Sequence, residues 1–210
     1  MKYKVMIVED QTMPRELFEL RVQASERFEL ALSSDNAALA DVYCLRFPVD
    51  LILMDVVTRG GESGLDAAER IKRAFPQTKI IIVTSMPECS YLSRAREIGV
   101  ESFWYKEEQR ESLLDVMERT MAGESVYPDA TPELQLGLAS SYKFTDRELE
   151  VLREMTGGDT NQEIAERLHM SVATVKSHIL NMLEKTGFKN RTELAVRARE
   201  SGLVILNRKN

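Results

Sequence analysis

Apolar residues in the first 122 positions fall in short unbroken runs, Val5-Met6-Ile7-Val8, Leu51-Ile52-Leu53-Met54 and Lys79-Ile80-Ile81-Ile82-Val83. Two weaker runs are Phe28-Glu29-Leu30-Ala31-Leu32 and Ser102-Phe103-Trp104-Tyr105. The strong runs lack polar alternation, so they predict strands buried on both faces of a parallel sheet. Between them the apolar spacing turns helical, as in Leu65, Ala68, Ile71 and Phe75, and again in Leu113, Leu114, Val116 and Met117. Breaks fall at Ser25 to Arg27 and at Phe75-Pro76-Gln77. Strand–helix alternation repeated five times predicts a doubly wound α/β domain over 1–122, flavodoxin-like in kind.

The pattern changes after that. Residues 123–142 hold Pro128 and Pro132 and no basic residue, and read as a linker with a short helix over 132–138. Beyond it, helix starts are written as caps. Thr145-Asp146-Arg147-Glu148 and Thr160-Asn161-Gln162-Glu163 fit the reciprocal capping box, Asn190-Arg191-Thr192-Glu193 is an Asn-led variant, and Ser171 is a further cap. Gly157-Gly158 and Gly187 are stops. Four helices follow over 143–210, at about 146–156, 161–168, 172–186 and 191–201. The stripe Ile164, Ala165, Leu168 is joined by His169-Met170-Ser171 to the stripe Val175, Ile179, Met182, Leu183. Two helices on a three-residue turn form a helix-turn-helix candidate, all-α, whose second helix would enter a major groove.

Charge first argues against nucleic acid. The chain of 210 residues is net −6, and binding DNA calls for a basic surface. Division by segment reverses the inference. Residues 1–122 carry 16 Lys/Arg against 21 Asp/Glu, and residues 123–142 carry none against 3. Residues 143–210 carry 12 against 10, and within them 167–199 hold seven basic residues against two acidic. The basic excess belongs to the helix-turn-helix segment. No apolar run reaches the roughly 18–20 residues of a membrane span, and the N-terminus meets Glu9-Asp10 too soon for a secretory signal. Cys44 and Cys89 have no CxxC or Cys/His neighbours, so neither disulfides nor structural zinc is indicated. The expected compartment is the cytoplasm.

Candidate chemistry lies where the strands end. Glu9-Asp10 follow the first, Asp55 the third, Thr84-Ser85 the fourth and Lys106 the fifth. Ligands of open α/β sheets bind outside the carboxyl ends of the strands, at the switch in strand order. Three carboxylates gathered there call for a cation, and hard oxygen ligands suit Mg²⁺. A lysine and a hydroxyl at the same rim suit a transferred phosphoryl group, and a carboxylate can be its acceptor. Taken singly, Asp55 is a turn residue, Lys106 a solvated charge and Thr84 a strand former; the signal is the set.

Val8-Glu9-Asp10, Leu53-Met54-Asp55, Val83-Thr84-Ser85 and Tyr105-Lys106 resemble the landmarks of receiver domains in bacterial two-component response regulators. The resemblance implies that Asp55 accepts phosphoryl from a sensor histidine kinase. Glu9, Asp10, Asp55 and the Val57 carbonyl would hold Mg²⁺, with Thr84 and Lys106 on the phosphoryl oxygens. Phe103 falls at the family's rotating aromatic position, although plain core packing explains it equally well. Phosphorylation would draw Thr84 and Lys106 inward and re-pose the helix at 88–98 and the strand at 102–105. Two departures stand out. Where the family shows Met-Pro after the acceptor and glycine eight residues on, this chain has Thr58-Arg59 and glycine nine on, which predicts a longer, more flexible loop over 58–64. Glu107-Glu108 follow Lys106 where proline or a small polar residue is common.

Phe144-Thr145-Asp146-Arg147-Glu148-Leu149-Glu150-Val151-Leu152, Asn161-Gln162-Glu163-Ile164-Ala165 and Ser171-Val172-Ala173-Thr174-Val175-Lys176-Ser177-His178 are similar to the LuxR-type DNA-binding domain. Receiver plus LuxR-type domain resembles the NarL/FixJ subfamily. The likeness implies that Lys176 and Ser177 face the groove, that Thr160, Asn161, Thr174 and Asn181 lie near phosphates, and that the protein dimerises on promoter DNA. Leu180 stands where the family often has a polar or basic residue; a thymine-methyl contact is possible, and packing in the core or against a second copy is the preferred reading. His178 reads as half-buried. Two other functions are weighed: a phosphorylation-independent regulator whose receiver only docks partners, and an aspartyl-nucleophile phosphohydrolase. Enzymes resembling the haloacid-dehalogenase family want a second Asp two positions on, where this chain has Val57.

Overall fold

The computed structural model describes residues 2–59, 62–88, 90–106 and 111–204, which divide chiefly at Ala130/Thr131 into two compact units. The first alternates strand and helix: β1 (Tyr3–Val8), α1 (Thr12–Ala24), β2 (Phe28–Ser34), α2 (Ala40–Arg46), β3 (Leu51–Met54), α3 (Gly64–Ala74), β4 (Lys79–Thr84), α4 (Ser90–Ile98), β5 (Ser102–Tyr105) and α5 (Leu113–Met121). All five strands are parallel in the order β2-β1-β3-β4-β5. The reversal lies between β1 and β3, whose neighbours β2 and β4 continue in opposite directions.

Unbroken apolar runs give buried strands because helices cover both faces. Val5, Ile7, Leu51, Leu53, Ile81, Val83 and Trp104 share one core with Phe18 and Val22 of α1 and Leu113, Val116 and Met117 of α5. The intervening Met6, Val8, Ile52, Met54, Ile80 and Ile82 are buried as well. α3 stops at Ala74, before the predicted break at Phe75-Pro76.

The second unit holds α6 (Asp146–Thr156), α7 (Asn161–Arg167), α8 (Val172–Thr186) and α9 (Arg191–Glu200), preceded by a small hairpin, β6 (Gln135–Leu136) and β7 (Ala139–Ser140). The hairpin replaces the short helix predicted over 132–138. Gly137 takes φ +62° at the first position of a two-residue loop, where a II′ hairpin turn places glycine. Leu136 and Ala139 are thereby turned into the helical core beside Leu149, Leu152, Val175, Ile179 and Leu194. The turn chemistry of Gly137 carried the information that the short-helix reading left out.

The caps form as their sequences predict, with one change. Thr145 and Thr160 each close both arms of a capping box, and Ser171 accepts from the Thr174 amide. Asn190 accepts from the Glu193 amide, but the Glu193 carboxylate takes the Lys189 N–H at 2.9 Å instead of completing the box.

Candidate functional site

Each acidic or basic residue at the strand ends is fixed by continuation of the parallel ladder. The Glu9 N–H donates to the Ser34 carbonyl (2.9 Å), Asp55 to Val8 (2.9 Å) and Lys106 to Thr84 (3.0 Å). Three side chains from β1, β3 and β5 are thus delivered to the same end of the sheet. The Lys106 ammonium bridges Glu9 Oε2 at 2.5 Å and Asp55 Oδ2 at 2.8 Å. Glu9 and Asp55 are buried, Asp10 partly so, and a ligand oxygen from each of the three lies within 4.8 Å of the others. Thr84 is fully buried at the end of β4, and Val57 is half-exposed two residues past Asp55.

Burial raises the Asp55 carboxyl above its ordinary value, against the charge and hydrogen bond of Lys106 and the amides of Val56 and Val57. Glu9 is raised by burial and by the Asp55 charge, with Lys106 and the Gln11 amide opposing. For Lys106, burial works against the charge, but Asp55 and Glu9 outweigh it and hold the ammonium above its ordinary value. Two raised acids sharing one ammonium make an anionic site short of positive charge. Hard carboxylate oxygens at this spacing fit Mg²⁺. Arg15 of α1 also holds the Glu9 carbonyl at 2.9 Å, a support that no motif had pointed to.

The described flanks of the β3–α3 loop are tied down by contacts. The buried Thr58 hydroxyl accepts the Ala37 amide at 3.0 Å, the Arg59 amide reaches the Asp35 carbonyl, and Val57 bridges Ser63. The Gly64 amide returns to the Val56 carbonyl at 2.8 Å. A Cβ on Gly64 would lie 1.9 Å from the Asp55 carbonyl oxygen, so the close approach requires glycine there. Gly60, Gly61 and Glu107-Glu108 lie outside the described residues, as does Cys89. Phe103 is buried against Tyr105, ring centroids 5.0 Å apart.

In the second unit, α7 and α8 meet through a turn in which His169 takes φ +53°. Val175, Ile179 and Met182 are buried, and Leu183 packs on them. The opposite face of α8 exposes Ala173, Thr174, Lys176, Ser177, Leu180 and Asn181. Leu180 is 56% exposed and outside the core, which corrects the core-packing reading for this residue. The apolar stripe at 175, 179 and 182 already fills the interior, leaving Leu180 on the far side. His178 is half-buried, as expected. Thr160 is exposed and Asn161 half-buried at the start of α7. Sequence reasoning missed Arg191, which donates to Asn161 Oδ1 (2.9 Å) and the Asp159 carbonyl (2.8 Å), holding that helix start in place. Its only signal was a cation beside an Asn cap.

A doubly wound unit with paired acids and a lysine at its strand ends, followed by a helix-turn-helix unit, defines a receiver-type regulator. Comparison with known proteins agrees over both parts. The family described as "Response regulator receiver domain" matches residues 5–118, and "Bacterial regulatory proteins, luxR family" matches residues 142–198. The response regulator protein VraR of Staphylococcus aureus is 31% identical over 214 residues, covering 97% of this chain and 100% of the relative. VraR of Staphylococcus epidermidis is 30% identical over 212 residues, covering 97% and 100%. Among solved structures, an RcsB–DNA complex superposes with a TM-score of 0.63 at 19% identity, covering 95% of this chain and 98% of that one. RcsB of Salmonella enterica serovar Typhimurium, bound to promoter DNA with a phosphomimetic, gives 0.62 at 21% identity, covering 97% and 100%. The chain belongs to the bacterial two-component response regulators that join a receiver to a LuxR-type domain, the NarL/FixJ arrangement. That family is one of DNA-binding transcription regulators, and no helix among the described residues is long and apolar enough to cross a membrane.

Proposed function

We propose that the chain is a phosphorylation-controlled transcription factor in which Asp55 is the phosphoacceptor and a sensor histidine kinase the donor. The observation that carries this reading is the buried Asp55 carboxylate with its ammonium partner Lys106 at 2.8 Å and two further carboxylates alongside. An Asp55 oxygen attacks the phosphorus of a phosphohistidine; the new P–O bond forms as the P–N bond breaks, and the electron pair leaves on the imidazole, which takes up a proton. Lys106 moves its ammonium from the carboxylates to a phosphoryl oxygen, and the Thr84 hydroxyl donates to another. Glu9, Asp10, Asp55 and the Val57 carbonyl would hold Mg²⁺, which when bound neutralises charge on the transferring group. Phe103 would follow Thr84 as an aromatic switch residue. Val57, two positions past Asp55, gives no second acid for turnover, so the aspartate serves as an acceptor and not as an enzyme's nucleophile.

In the DNA-binding unit, Lys176 and Ser177 read bases from α8, with Leu180 against a thymine methyl or a second copy. Thr160, Asn161, Thr174 and Asn181 sit at phosphates. The functional division runs 1–122 for the receiver, 123–142 for the linker and 143–210 for the DNA-binding domain, in a cytoplasmic protein that binds promoters as a homodimer. The test uses promoter fragments recovered by genome-wide occupancy, a small phosphodonor and Mg²⁺. Wild type takes up one phosphoryl group and shifts DNA more strongly; Asp55→Asn does neither. Equal binding by both proteins, with no phosphoryl uptake, would overturn the assignment.

A further inference from the structure

The stretch following α5 is bound to the edge of the receiver sheet. The Phe103 amide donates to the Val126 carbonyl at 2.8 Å, and the Val126 amide donates to Ser102 Oγ at 3.1 Å. The Ser125 hydroxyl reaches the Glu101 carbonyl at 2.7 Å. Val126 joins the core shared by α1 and α5. Tyr127 turns to the opposite side, where its ring lies 6.2 Å from Phe103, its hydroxyl donates to the Val100 carbonyl at 2.8 Å, and the Arg96 guanidinium covers its face at 4.7 Å. Burial pushes the Tyr127 phenol up to about 12, so the hydroxyl keeps its proton and remains a donor at neutral pH.

We infer that residues 125–127 form a clamp, with Tyr127 as its latch, that reports the state of β5 and α4 to the chain leading into the DNA-binding unit. This rests on the phosphoacceptor reading above and adds the route by which the switch reaches the linker. The partners of Tyr127 are divided between elements: Arg96 is in the last turn of α4, Val100 in the following turn and Phe103 in β5. A phosphoryl group held by Thr84 and Lys106 pulls on the ends of β4 and β5, and a shift of α4 against β5 separates those partners. One ring cannot stay on all three. Phosphorylation therefore loosens the clamp and frees the chain after Tyr127.

The experiment uses the full chain with beryllofluoride and Mg²⁺. Trp104, the single tryptophan, lies in β5 and reports by fluorescence that the receiver has responded. Hydrogen exchange at the Phe103 and Val126 amides reports the clamp. In wild type both amides exchange at least about tenfold faster when Trp104 responds, the size of a modest local-opening change. Tyr127→Ala exchanges fast from the start with no further gain, while Tyr127→Phe, which keeps the ring and loses one hydrogen bond, lies between. Thermal melts confirm that the variants fold. A Trp104 response with unchanged amide exchange in wild type overturns the clamp and leaves the phosphoacceptor reading standing, as does wild-type protection in Tyr127→Ala. No Trp104 response and no phosphoryl uptake on Asp55 from a small phosphodonor removes that reading, and the clamp with it.

Discussion

Lys106→Met tests the electrostatics of the receiver site most directly. The Lys106 side chain is 9% exposed and its ammonium bonds to Glu9 and Asp55, whose side chains are 1% and 5% exposed, so water does little to replace it. Removing one partner of a buried ion pair costs about 3–5 kcal/mol, because the remaining charge is left uncompensated. With a urea slope of about 2 kcal/mol/M, the receiver midpoint falls by roughly 2 M at about pH 7.5. The pH dependence follows from the raised carboxyls. A group whose folded value lies above its unfolded one adds stability at low pH and loses it as pH rises through the folded value. Without Lys106, Asp55 and Glu9 are raised further, so the penalty is largest at the higher pH, where both are charged, and shrinks as they take up protons at lower pH. Mg²⁺ recovers more stability in the variant than in wild type, since no ammonium competes for the carboxylates. Urea titrations followed at Trp104, run at both pH values with and without Mg²⁺, measure all three effects. A pH-independent gap, or a loss below about 1 kcal/mol at neutral pH, would refute the reasoning.

Four other predictions address separate parts of the molecule. Gly64→Ala drives a methyl group into the Asp55 carbonyl and costs about 1–3 kcal/mol as overpacking, with phosphoryl uptake lost beyond what stability explains; denaturation and intact mass check it. Glu148, held below its ordinary 4.5 by Lys185 and the Thr145 amide against the cost of burial, stabilises the helical unit above that value and ceases to as pH falls through its depressed one. Glu148→Gln therefore loses about 1.5–3 kcal/mol at neutral pH and converges with wild type in acid, read from helical ellipticity of the full chain. Lys176→Ala weakens DNA binding and lowers the slope of log affinity against log salt by about one if it meets a phosphate, or relaxes base preference if it meets guanine. Leu180→Ala leaves the melting temperature unchanged, because that side chain lies outside the core.

Strand positions, sheet class and four helices were legible because burial on two faces and capping chemistry leave local marks. The acids and lysine were legible as a set, since parallel topology brings the carboxyl ends of strands together. The core-packing reading of Leu180 failed because its apolar character was weighed without asking whether Val175, Ile179 and Met182 already complete the stripe. Thr58 and Ser63 tie the flanks of the 58–64 loop through contacts with residues about 20 positions upstream or across the loop, which no local pattern encodes. The role of Arg15 was hidden for the same reason: it acts on a backbone carbonyl, which has no sequence signature, and Arg191 likewise holds the Asp159 carbonyl besides the Asn161 side chain.

The closed capping box at the start of α7 bears on how this protein would meet DNA. Both the amide and the hydroxyl of Thr160 are engaged by the Glu163 carboxylate, at 2.7 and 2.8 Å. A helix N-terminus attracts phosphate, but here the Thr160 amide and hydroxyl already donate to an anion of the protein's own. A DNA phosphate arriving at Thr160 would have to exchange with that resident glutamate, so docking there is an ion exchange within the protein as well as around the DNA. The salt sensitivity of binding would then fall short of what a count of phosphate contacts suggests. Glu163→Gln should make binding tighter at the expense of the helix cap.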